Sequence, residues 1–410
     1  MVRDLARVGM DSRERLLTAI NNGKPDRLPV QVHRWMPYYL RTYLGGIDQW
    51  AAYEQFGMDM VIYSDPVVSV DDTEQSRWIR ERVLCETDRE GVRHWKIRVR
   101  TPGGDLTGAE AGNDITTWTT EYLIKTERDF ELFEKYCPSP TFDWSPVMRD
   151  LNRLGNRGIV RTASRGYGQG APWQDLCTLM GTVSAIMTAL DEPERTRHML
   201  DVILAKRVST IEKSPPNPSD IVSTGGGAGS DTVISPDLHA RFCLPYDRAY
   251  HAALREKSPR TKIVYHLCGG VMNLLDLVAT NGADGLETMT PPSMGGNADL
   301  SAARRMIGDR LFFVGGFDQQ QGFERGTPED ARRLVVQCHA ACPDGGYICC
   351  PSDHFFHGNP ENIRAFVDAA RNAGMTVDAD QSDRGVPRRG FGGLVECPCW
   401  RLVCFFGSAP

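Results

Sequence analysis

A chain of 410 residues is long enough to bury one large core or two, and its 41% hydrophobic and 24% charged content is that of an ordinary globular protein. A formal net charge of −6 argues against nucleic acid or an anionic membrane as an obligate partner, while leaving room for a basic pocket that takes an acidic small molecule. No apolar run approaches the roughly 20 residues that cross a bilayer, and the charged start MVRDLARVGMDSRERLL has no apolar signal core, so a cytoplasmic location is expected. Twelve cysteines spread along such a chain read as reduced thiols or metal ligands before disulfides.

In chain order, eight short segments rich in β-branched residues read as buried parallel strands: RLPVQVHR (27–34), MDMVIYSD (58–65), RGIVRTAS (157–164), SDIVSTGG (219–226), TKIVYHLC (261–268), DGLETM (284–289), RLFFVGG (310–316) and GYICCP (346–351). Helices are expected from Asp191 to about Glu212, ending before SPPNPSD, and after the start signals Ser235-Pro236, Thr327-Pro328 and Asn359-Pro360. Alternation to a count of eight favours a closed (β/α)8 TIM barrel over residues 1–380, as a single domain. Residues 66–156 read as an insertion over the barrel mouth, containing a hairpin that turns at Glu90-Gly91. The tail 381–410 fits no helical or strand period and reads as irregular or disordered.

In such barrels the residues just beyond each strand's carboxyl end face the active site. The rule selects Arg34, Asp65, Ser164, Asp231, His266 with Cys268, Glu287, Asp318, and Asp353 with His354. The strongest signal is His266-Leu267-Cys268, two metal-capable side chains at i and i+2 on one strand face. The alternative is a buried cysteine beside a histidine bonded to backbone. Asp353, His354 and Cys350, at the end of the eighth segment, are candidates for a third ligand. Asp65 either caps a turn or does acid–base or ion-binding work. Arg34 either holds a substrate carboxylate or pairs with a neighbouring acid. The run Gly225-Gly226-Gly227-Ala228-Gly229 lacks dinucleotide or P-loop spacing and reads either as a mouth loop or as a close approach to ligand.

These residues resemble the uroporphyrinogen decarboxylase superfamily over roughly 10–378. The matching stretches are SRERLLTAINNGKPDRLPV, YSD (63–65), GAPW (170–173), ISPDLHARFCLPY (234–246), HLCGG (266–270) and PENIRAFVDAARNAG (360–374). The resemblance implies a (β/α)8 barrel, a homodimer, and two candidate activities. In true decarboxylases an aspartate and arginines bind an acidic tetrapyrrole without any cofactor. Asp65 and Arg34 match that set, but Tyr38 and Thr178 stand where a second arginine and a tyrosine are usual. In the zinc-dependent methyltransferase branch, His-x-Cys-Gly and a later cysteine hold zinc and exchange methyl groups between corrinoid carriers and thiols or folates. His266 and Cys268 match it, and Asp353 stands where the later cysteine is expected. The methyltransferase reading therefore leads, with zinc held by His266, Cys268 and Asp353 or His354 (or Cys350), and a small-molecule substrate or a corrinoid protein as partner. Tyr38, Trp173, Asp231, Glu287 and Asp318 are expected to line the substrate site. Decarboxylation is the second reading, and a non-catalytic corrinoid-binding barrel the third.

Overall fold

In the computed structural model, which describes residues 9–163 and 170–373, the last seven of the eight expected segments form one parallel sheet in chain order. The strands are Met60–Tyr63, Gly158–Ala163, Ile221–Gly225, Lys262–His266, Gly285–Thr288, Phe312–Phe317 and Tyr347–Pro351. The first segment is an extended arm. It closes onto the eighth strand through a single bridge between Val30 and Cys349, with Gln31 N–H donating to Cys349 C=O at 3.1 Å and Cys349 N–H to Pro29 C=O at 3.0 Å. The result is the expected (β/α)8 barrel. Ser164 and the tail 381–410 lie outside the described residues.

Side chains alternate across each strand. One set points to the helices: Val30, Val32, Ile62, Tyr265, Leu286, Phe313 and Tyr347 belong to the large outer core. The other set fills the barrel, where Val61, Ile159, Ile221, Val264, Phe312, Val314, Ile348 and Cys350 pack together. The N-terminal helix Ser12–Ile20 plugs the base of that interior with Leu16, Ala19 and Ile20. Each fully buried aliphatic side chain there contributes roughly 1.5–3 kcal/mol. Beside the seam between the first arm and the second strand, fully buried Asp59 accepts from Arg15 at 2.7 Å and Arg27 at 2.9 Å.

Three helix starts follow the sequence signals. Ser235, Thr327 and Asn359 cap Pro236–Phe242, Pro328–Ala341 and Pro360–Asn372, each with proline in the first turn and Thr327 forming a capping box with Asp330. The expected helix from Asp191 is Pro193–Lys213. The insertion is larger than a hairpin: Ile79–Thr87, Arg93–Thr101, Gly104–Gly112 and Thr117–Glu121 form a four-stranded antiparallel sheet, with the first turn at Gly91 (φ +80°) as expected. Helix Glu127–Tyr136 follows the sheet and buries Phe130 and Phe133 in a second core with Trp173, Leu176, Met199 and Leu200, which anchors the insertion to the outer helices. Among the described residues no helix is long and apolar enough to cross a membrane.

Behind the fifth strand, Tyr265 donates to buried Asp247 at 2.6 Å, and the neighbouring Arg207 guanidinium pairs with Asp175. Burial pushes the Asp247 carboxyl up to about 7, with the Tyr265 hydrogen bond and the Arg207 charge offsetting it in part. Between the ordinary carboxylate value of 3.8 and about 7, the unfolded chain loses this proton while the folded chain keeps it, so stability falls as pH rises through that window. Urea unfolding from pH 4 to 7 is expected to show a shallower decline in Asp247→Asn than in the wild type. Identical slopes would refute the assignment.

Candidate functional site

Above the apolar layer the barrel interior turns ionic. Arg161, Glu287 and His266 each stand two residues further along their strand than an interior position of the lower layer (Ile159, Gly285 and Val264), so the same alternation aims them inward. Arg161 donates to Glu287 Oε1 through a short contact and to Ser223 Oγ at 2.6 Å. His266 Nδ1 lies 2.9 Å from the same Glu287 oxygen. Burial works against the Glu287 carboxylate, but the charge of Arg161 and the His266 hydrogen bond outweigh it and hold its pKa well below the usual range. For His266, burial disfavours the imidazolium. Hydrogen bonds to Cys268 and Glu287, with the charges of both, prevail and push it up to about 10. An ion bound at Nε2 would take the place of the proton there, with Nδ1 held by a carboxylate as is typical of metal-ligating histidines.

The arm closing the barrel adds His33 to this group. Its ring lies 5.3 Å from that of His266 and 4.7 Å, edge-on, from that of His354, and its Nδ1 is 4.0 Å from Glu287 Oε2. Among the described residues, two sets of three ligand atoms come within 4.8 Å of one another: His33, His266 and Glu287, and His33, Asp353 and His354. Burial, only partly offset by Glu287, keeps His33 neutral well below its ordinary value, and burial opposed by the Asp353 carboxylate brings His354 down to about 4. Both imidazoles are therefore available as ligands at neutral pH. His354 Nδ1 and Glu287 Oε2 are buried without a hydrogen-bond partner among the described residues, the condition that a cation between these walls would relieve. The nitrogen and oxygen donors of these sets fit zinc.

The expected ligands are thus distributed around His33. Cys268, half-buried just past the fifth strand, is hydrogen-bonded to His266 but belongs to neither compact set; Asp353 and His354 gather with His33. Cys350 is fully buried in the barrel wall, where burial drives its thiol up, and joins neither set. Arg34 lies half-buried over the Tyr63 ring at 5.7 Å, and Arg161 is 4.9 Å from the same ring. Asp65, also half-buried, follows two residues beyond the second strand. Tyr38 sits edge-on to His357 at 5.6 Å.

Other expected site residues take up scaffolding positions. Trp173 is 1% exposed, stacks on Phe242 and donates its indole N–H to Ala228 C=O at 2.9 Å, so it anchors the glycine-rich loop and presents no open face to a ligand. Asp231 clamps two loops, accepting from Asn273 Nδ2 and Asn297 Nδ2, both at 2.9 Å. Asp318 accepts from Ser293 and Gln321 at 2.5 and 2.7 Å, beside a cavity of about 350 Å³ between helices Leu300–Ile307 and Pro328–Ala341. The strand-tip rule passes over His33 and Arg161. Their signals are the in–out alternation of Val30-Gln31-Val32-His33 and a lone cation inside the apolar strand Gly158–Ala163.

The sequence model of the family "Uroporphyrinogen decarboxylase (URO-D)" matches residues 164–373, just over half of the chain. No match to a curated protein was found. Among solved structures, a methyltransferase from Methanosarcina mazei superposes with a TM-score of 0.59 at 14% identity, covering 88% of this chain and 98% of its own. A B12-independent methionine synthase from Shewanella sp. W3-18-1, in complex with selenomethionine, gives a TM-score of 0.43 at 10% identity over 86% of this chain and 94% of its own. At such identities the likeness is one of fold.

Removing one partner of a buried ion pair leaves the other charge stranded, which costs roughly 3–5 kcal/mol. Arg161→Met is expected to lose that much in urea unfolding, and the double variant Arg161→Met/Glu287→Gln distinctly less than the sum of its single changes. Strict additivity would show that the two side chains do not act as a pair.

Proposed function

Because the chain belongs to the uroporphyrinogen decarboxylase family, we propose that it is a methyltransferase-type member of it, with zinc held by His266 and Cys268 and a third ligand from Asp353 or His354. The observation that carries this reading is the fixed orientation of His266: Glu287 holds Nδ1, Cys268 lies alongside, and both stand at the carboxyl end of a barrel strand. Three protein ligands leave zinc one open position, where a substrate thiol would lose its proton at neutral pH.

The chain's own residues do the remainder. Arg161 neutralises Glu287, which keeps Glu287 ionised to orient His266. The barrel's apolar lower half and the helix plug keep water from the base of the site, so these interactions act in a low-dielectric setting. Arg34 is the cation at the mouth suited to bidentate contact with a substrate carboxylate. We place the methyl donor on a corrinoid or on another small molecule, and the acceptor among thiols or folates.

Elemental analysis of the purified protein is expected to find about one zinc per chain. Cys268→Ala should lower zinc affinity and abolish methyl transfer to a thiol while leaving the fold intact. A metal-free wild type would defeat the proposal. So would chelator-insensitive decarboxylation of an acidic tetrapyrrole that is lost in Asp65→Asn, which is the outcome expected of the decarboxylase branch.

A further inference from the structure

The proposed metal reading requires the Cys268 thiol to face His266, yet the fifth strand ends at His266 and Cys268 lies beyond its ladder. What holds it comes from two neighbours. On one side, the tip of the sixth strand grips the peptides flanking Cys268. Leu267 N–H donates to Glu287 C=O at 3.4 Å, Thr288 Oγ1 donates to Leu267 C=O at 2.9 Å, and Gly269 N–H donates to Thr290 Oγ1 at 3.2 Å.

That grip requires an unusual backbone. Thr288 and Met289 have φ of +82° and +45°, the left-handed region that a β-branched residue avoids. The turn is locked from behind. Ala298 N–H donates to Thr290 C=O at 3.0 Å, and a Cβ on Gly315 would lie 2.1 Å from the Thr288 carbonyl oxygen.

On the other side lies the glycine run after the fourth strand. A Cβ on Gly227 would fall 2.6 Å from Cys268 Sγ and 3.3 Å from its carbonyl oxygen. Gly227 does not carry a left-handed φ, unlike Gly225 at +90°, so its backbone would accept alanine and the constraint is one of space. The thiol occupies the room that the missing side chain leaves.

We propose that Gly227, Thr288 and Thr290 are positioning residues for Cys268: Gly227 provides the space in which the thiol sits, and the two threonine hydroxyls fix the peptides on either side of it. The assignment rests on the metal-dependent reading above. It gives the glycine run a role in aiming a ligand, in place of cradling phosphate.

The test uses the full chain loaded with Co(II) in place of zinc, because the cobalt–thiolate charge-transfer absorption reports whether Cys268 is bound. Cys268→Ser identifies that band by removing it. Gly227→Ala is expected to weaken or abolish the band and to lower zinc affinity roughly 10–100-fold, with the circular dichroism spectrum unchanged. Thr290→Val should move both readouts the same way, and Thr290→Ser, which keeps the hydroxyl, should restore them. Wild-type band and affinity in Gly227→Ala and Thr290→Val would overturn the positioning assignment alone. A wild type that takes up neither Co(II) nor zinc would overturn the metal reading, and this inference with it.

Discussion

A carboxylate shut away from water persists as an anion only beside a cation, and at the centre of this molecule that pairing is Glu287 with Arg161. The pair reaches across the barrel from the third strand to the sixth. With Glu287 fixed, His266 has its Nδ1 committed and its ring orientation set. With His266 fixed, Cys268 has a partner to lie against. The apolar layer underneath strengthens each of these interactions by keeping the local dielectric low. Charge, orientation and ligand placement are thus one chain of dependence with its root in a single salt bridge.

Much of this was legible in the sequence because buried parallel strands announce themselves by β-branched runs, and helix starts by serine, threonine or asparagine before proline. Seven of the eight segments are strands, the first is an arm joined by one bridge, and the four expected helices are present among the described residues. Glu287 and His266 were legible by position at strand ends. His33 was not, because the end-of-strand rule points to Arg34, whereas the pleat points to His33: Val30 and Val32 pack outward, which sends Gln31 and His33 inward. Arg161 was missed for a related reason, being a cation inside a strand instead of at its tip.

Other features were out of reach of local pattern. Asp231 serves side chains 42 and 66 residues further along, and nothing in its neighbourhood announces that. Trp173 looks like a ligand-facing aromatic until the second core forms around it. The insertion strand GDLTGAEAG is poor in β-formers and becomes a strand because partners on both sides supply its ladder. Where tertiary pairing overrides propensity, only the folded chain shows it.

The way the ring is joined also matters for how the cavity responds to an occupant. Seven staves are fastened along both edges or to a full neighbour. The arm bearing His33 and Arg34 is fastened on one edge by two backbone hydrogen bonds, and among the described residues no ladder joins it to Met60–Tyr63. A guest that draws on His33 or Arg34 works against that short seam, whereas one that presses on His266 meets strands paired on both flanks. The cavity thus has a stiff wall and a compliant one, and adjustment to guests of different girth falls to the compliant side.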